Sequence, residues 1–223
     1  MGGKAYAGSR LQVQIYVNRR VDELNAAIVA AEPELRDARF EWVSPLEFKD
    51  FSEYRDNAAL KVLGCDKLAP ALAEFWPAGG PRWDALARVT TGRGPGVVLV
   101  EAKSYPAEAF GPECRAGEAS RRKIEKTLQA VKEALGVPAE CDWLGPLYQS
   151  ANRLAYLRFL GGHGVLAWLV NLYVIGDVAP RHTTRDEWAH ELPLFRRALL
   201  GDAQRVVPGV VSIFLAARNA PEL

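Results

Sequence analysis

Cysteine is scarce in this chain of 223 residues: Cys65, Cys114 and Cys141 stand far apart, with no CxxC pair. An odd, scattered set supports neither a disulfide framework nor a zinc cluster, so a reducing, cytoplasmic setting is the expectation. No run approaches the 18 apolar residues of a membrane span, and MGGKAYAGSR lacks the apolar stretch of a secretion signal, so no membrane partner is expected. Its MGG start also lacks the Ser or Thr of a myristoylation signal, having Tyr6 there. Charge of one sign is missing too. With 28 Lys and Arg against 27 Asp and Glu, the net charge of +1 gives no global pull toward polyanions, and any such site must be a local patch. Phosphate-loop and GxGxxG fingerprints are absent, as is the GxSxG elbow of serine hydrolases. His163, His182 and His190 lack metal-ligand spacing.

What is present is ordinary globular material, 49% hydrophobic and 25% charged, which a single domain over 1–223 can use to build a sizeable core. Val13, Val17, Val21, Leu24 and Ile28 recur at helical spacing behind a Ser9/Gln12 capping pattern, predicting one helix over 10–30. RFEWVSPL, residues 39–46, reads as a short strand. Asp50 with Glu53 predicts a helix through FSEYRDNAALKVL that closes at Gly64, and a further helix covers 67–75. WPAGGPR is a turn; WDALARV reads as a strand, TGRGPG (91–96) as a loop, and 97–105 as the next strand. A basic amphipathic helix over 120–135 follows, then a helix LYQSANRLAYLRFL closed by Gly161 and Gly162. VLAWLVNLYVI, residues 165–175, is apolar enough for a strand covered on both faces. A helix capped by Thr184 and Glu187, with Pro193 inside it, and a strand VVSIFLAA end the chain. The class is α/β with a central mixed sheet flanked by helices.

The chemistry concentrates in GVVLVEAKSYPAE, residues 96–108. Four apolar residues, Val97 to Val100, drive this strand into a core, and it then carries Glu101 and Lys103 on one face. Unpaired charges in a core cost several kcal/mol. The pair is therefore either a solvated salt bridge at a strand end or a site held for a purpose. Asp84, on the preceding strand, can stand beside Glu101 across a short hairpin. Two carboxylates are a typical protein share of a Mg²⁺ site, and a lysine beside them suits hydrolysis of a phosphodiester.

WDALARV, a loop, and VVLVEAK together resemble the PD-(D/E)xK nuclease superfamily, and the wider pattern of YRD, FWPxGGPxWDAL and YQxANRLxxLxFL resembles an uncharacterised bacterial family within it. That resemblance implies a restriction-endonuclease-like three-layer core over about 50–175, ordered helix, three-strand meander, helix, strand. The N-terminal helix, the C-terminal helix and strand, and the 120–135 helix would be additions. It implies Mg²⁺ or Mn²⁺ on Asp84 and Glu101, with the Ala102 carbonyl a further possible ligand, and Lys103 as the catalytic lysine. Gln149 would assist from the helix after the third strand, with Arg153 on the same face as a phosphate contact, and Glu53 from a first core helix. Trp83 stands where the motif has Pro. Arg121, Arg122, Lys123 and Lys126 form the best local patch for nucleic acid, with DNA the favoured partner, though a solvated helix face explains them as well. A homodimer stays open. So does the other reading of the whole chain, a catalytically silent nuclease-fold protein acting as a binding or scaffold module.

Overall fold

The computed structural model describes residues 2–179 and 181–223. Its centre is a five-stranded mixed sheet in the order β1 (Arg39–Ser44), β2 (Ala85–Thr91), β3 (Gly94–Lys103), β4 (Leu166–Ile175), β5 (Val210–Ala216). β1, β2 and β3 form an antiparallel meander, while β4 and β5 run parallel to β3. A parallel neighbour needs a crossover. Between β3 and β4 it comprises α5 (Glu118–Leu135) and α6 (Tyr148–Gly162); between β4 and β5 it is α7 (Arg185–Leu200).

Alternation along the strands divides the interior into two cores. Val98, Val100 and Ala102 of β3 join Val170 and Leu172 of β4 under α1 (Gly8–Arg19) and α2 (Val21–Ala31). Val97 and Leu99 face the other way, into a core shared with α3 (Asp56–Leu63), α4 (Ala69–Phe75), α5, α6 and α7. Three layers result, and Glu101 and Lys103 continue the Val97–Leu99 face toward α6. Trp42, Trp76, Trp83 and Trp168 are all buried, as core residues.

Local signals hold where one residue type sets the backbone. Gly64 ends α3 at φ +75°, and Thr184 and Glu187 form a reciprocal capping box on α7. Four expectations are corrected. The 10–30 helix is two helices broken at Arg20, whose φ of −132° leaves the helical region, and α1 opens after Ala7 with no Ser9 cap. α1 is buried on all sides from Leu11 to Val17, so its pattern showed no single stripe. The helix expected from residue 51 begins only at Asp56, because Asp50 and Phe51 adopt φ of 52° and 50°, which a right-handed helix excludes. The 91–96 loop contracts to a turn at Gly92 and Arg93, with β3 starting at Gly94. Finally, α6 runs on through Gly161 and Gly162, and the left-handed turn residue is Gly164 at φ +77°. No helix among the described residues is long and apolar enough to cross a membrane.

Candidate active site

β3 ends in the cluster. Glu101 has 6% of its surface exposed and Arg153 5%, and the Lys103 side chain retains only 12%, so the solvated strand-end pair is not what folds. The register does this: Glu101 lies opposite Asn171 of β4, inside the sheet and beneath α6. On α6, Gln149, Arg153 and Tyr156 share the face turned to β3. Arg153 places Nε 2.7 Å and Nη2 2.6 Å from Glu101 Oε2. Lys103 Nζ lies 2.7 Å from the other oxygen, Oε1, and donates to Gln149 Oε1 at 2.6 Å.

Asp84 sits one residue before β2, with its backbone N–H on the Val100 carbonyl at 3.2 Å. Its Oδ2 accepts from the Ala102 N–H at 2.7 Å, which sets it beside Glu101. Burial and the adjacent Glu101 carboxylate push the Asp84 carboxyl up to about 7, against the pull of Lys103, the Ala102 N–H and Arg153. Glu101 moves the other way. Burial opposes its ionisation, but Arg153 and Lys103 outweigh that and hold it below the usual carboxylate range.

The other side chains of α6 brace the loops around the cluster. Arg153 Nη2 also donates to the Arg82 carbonyl at 2.8 Å, Nη1 donates to Asn152 at 2.8 Å, and the guanidinium lies 5.2 Å from the centre of the Trp83 ring. Tyr156 donates to Asp56, whose carboxylate accepts the N–H groups of Gly79 and Gly80 in the GGP turn. One α6 face thus ties down the end of β3, the approach to β2 and the turn before it.

Comparison with protein-family models, with curated proteins and with solved structures finds no match to this chain. Its chemistry therefore has to be read from the geometry.

Of the residues singled out from the sequence, Asp84, Glu101, Lys103, Gln149 and Arg153 converge. Arg153 is bound internally through Nε, Nη1 and Nη2, which makes it a counter-ion to Glu101 where a phosphate contact was expected. Glu53 lies on the loop before α3, since no helix forms there, and pairs with Arg10 at 2.7 Å, apart from this hydrogen-bond network. In the basic helix, Arg121 pairs with Glu125 and Arg122 with Glu118, one turn away in each case, and Lys123 donates to the Ala73 carbonyl. Lys126 is exposed. None of the four hydrogen-bonds to the Glu101 cluster. Two partners of Arg153, Trp83 beneath its guanidinium and Asn152, and one register neighbour of Glu101, Asn171 in the otherwise apolar LAWLVNLYVI, are not among the candidate site residues read from the sequence.

Among the described residues no three His, Cys, Asp or Glu side chains gather as a metal cluster. A cation here would rest on two carboxylates. Asp84 Oδ1 takes no hydrogen bond from a described residue, and burial first, then the adjacent Glu101 carboxylate, make the Asp84 carboxyl bind a proton unusually tightly. Two adjacent carboxylates, one of them with an oxygen that accepts nothing from a described residue, fit a single hard divalent ion that keeps several waters.

Proposed function

We propose that this chain is a divalent-metal-dependent nuclease of the PD-(D/E)xK kind. The observation that carries the reading is the meeting of Asp84, Glu101, Lys103 and Gln149 at the buried end of β3, with Asp84 pushed up to about 7 by burial and by Glu101. The antiparallel β1–β2–β3 meander followed through α6 to a parallel β4 supports it, being the element order that the motif implies.

Asp84 and Glu101 would hold Mg²⁺ or Mn²⁺, which supplies charge for the phosphoryl oxygens and an acidified water. Lys103, fixed between Glu101 and Gln149, places an ammonium beside the two carboxylates, where it can orient a water or neutralise charge that develops on the phosphate. Gln149 holds Lys103 by accepting one of its three donors, and the others remain for Glu101 and for substrate. Arg153 keeps Glu101 ionised and leaves phosphate contact to other cations.

A second reading, the silent binding or scaffold module, is favoured by one observation. Both oxygens of Glu101 already meet cations of this chain, so its charge is balanced within the fold. Cleavage assays on plasmid, single-stranded DNA and RNA with Mg²⁺ or Mn²⁺ separate the two. The nuclease reading expects Lys103→Ala and Asp84→Asn to lower cleavage by about 10²-fold or more, as loss of a positioned charge or metal ligand does. Cleavage that survives both substitutions would sink the site assignment. A wild-type protein that cuts none of these substrates would favour the binding module.

A further inference from the structure

Lys103 is held at both ends. Its ammonium lies between Glu101 and Gln149, and the residues on either side of it in the chain are tied down by acidic side chains. β2 pairs with β3 only as far as Val100, so beyond that residue β3 has no strand on this edge, while β4 continues on the other to Lys103. Carboxylates take the N–H groups instead. Asp84 accepts from Ala102 at 2.7 Å, and Glu108, on the helical turn Pro106–Ala109, accepts from Ser104. The Ser104 hydroxyl in turn donates to Asp177 Oδ2 at 2.7 Å, just past the end of β4. Three separate segments thus converge on the two residues that flank Lys103.

Ser104 and Asp177 are both buried, and among the described residues no Lys, Arg or His pairs with Asp177. A buried carboxylate held by one hydroxyl and by the Ala179 N–H at 3.3 Å costs stability that apolar side chains at 104 and 177 would not. What the arrangement gains is position. The turn that carries Glu108 is itself fixed: the Gly111 N–H donates to the Pro146 carbonyl at 2.8 Å, and the Phe110 ring meets Phe195 of α7 edge-on at 5.5 Å. We propose that Glu108 and Asp177 are positioning residues for Lys103 and act through Ser104, fixing the main chain from which the ammonium is aimed at the two carboxylates. A lysine stem is flexible, so its tip keeps a defined place only when its base does too. Neither residue hydrogen-bonds to Asp84, Glu101 or the Lys103 ammonium. The inference rests on the nuclease reading for its catalytic consequence and on these hydrogen bonds for its geometry.

The test uses the full chain with Ser104→Ala, which removes the donor to Asp177, Glu108→Ala, which frees the Ser104 N–H, and Glu108→Gln, which keeps an acceptor there. Lys103 is read directly by its rate of acetylation, followed by mass spectrometry. Lys132, 8% exposed and held by the Ala139 and Cys141 carbonyls, serves as the internal gauge of general loosening. Mn²⁺ affinity by calorimetry and cleavage complete the set. In both alanine variants Lys103 is expected to acetylate about threefold faster or more, with Lys132 unchanged. Their kcat should fall about tenfold while Mn²⁺ affinity stays within about threefold of wild type, since the metal-binding carboxylates keep their contacts. Glu108→Gln should match wild type throughout. Unchanged acetylation of Lys103 in either alanine variant overturns the inference. So does a parallel rise at Lys132, or Mn²⁺ affinity that falls in step with kcat, because each shows a merely structural role. A wild-type protein that cleaves nothing fails the nuclease reading alone, and the acetylation of Lys103 against Lys132 then decides.

Discussion

Replacing Arg153 by methionine is expected to destabilise the fold by about 3–5 kcal/mol, because it leaves the Glu101 carboxylate buried with Lys103 as its one remaining cation. The guanidinium is also a strut: its removal frees the Arg82 carbonyl and the Trp83 ring face, and with them the segment that leads into Asp84. Glu101→Met alone carries a similar penalty, since it strands the buried guanidinium. The double variant is the informative one. With both charges gone, Lys103, which is 12% exposed and close to the strand end, keeps Gln149 as a partner and the Asp84 carboxyl as a nearby opposite charge. The two penalties should therefore fail to add by about 2 kcal/mol or more in a chemical-denaturation cycle. Additive losses would mean that the contact between these two groups contributes little, and that the 5%-exposed Arg153 matters through packing alone.

Asp84 gives the second large effect, and its sign is opposite to that of most carboxylate substitutions. Its folded-state value of about 7 lies above the ordinary 3.8, so the folded protein binds this proton more tightly than the unfolded chain does. The stability from that proton is complete below about pH 4 and is lost as pH rises toward 7; above that, the ionised carboxyl weighs against the fold. The rise corresponds to at most about 4 kcal/mol, and the solvent that still reaches Asp84 reduces the expected effect to about 2 kcal/mol. Asp84→Asn keeps an oxygen for the Ala102 N–H and cannot ionise. It should unfold at higher denaturant than wild type at pH 8 and nearly equally at pH 4. Millimolar Mg²⁺ or Mn²⁺ should stabilise wild type at pH 8 and close most of that gap, with no effect on the variant. An asparagine variant less stable at pH 8 would show that Asp84 is held by favourable partners there, and would remove the argument that Asp84 and Glu101 await a cation.

The elements of this fold were readable wherever one residue type dictates the backbone. Gly64 past α3, the Thr184–Glu187 box and the apolar VLAWLVNLYVI each depend on chemistry within a few residues of chain. The breaks at Arg20 and at 50–55 were not readable, because they follow from how α1 is enclosed and from backbone conformations that no nearby Gly announces. In the site, the spacing of Glu101, Lys103 and Asp84 was legible because alternation and a hairpin are local geometry. Arg153 and Gln149 were legible as one helical face, but the partner that face would meet was not.

By itself, then, the sequence determined that β3 is an apolar strand ending in two opposite charges on one face, and that an acid precedes it across a turn. Alternation with a period of two leaves no other arrangement for a strand. Tertiary structure alone decided what those charges touch. The crossover through α5 and α6 lays Arg153 on Glu101 and Gln149 on Lys103; the parallel register puts Asn171 beside Glu101; the loop before α3 gives Glu53 to Arg10. Those contacts join residues tens of positions apart, so they depend on how layers stack and strands register, which no short window of sequence encodes.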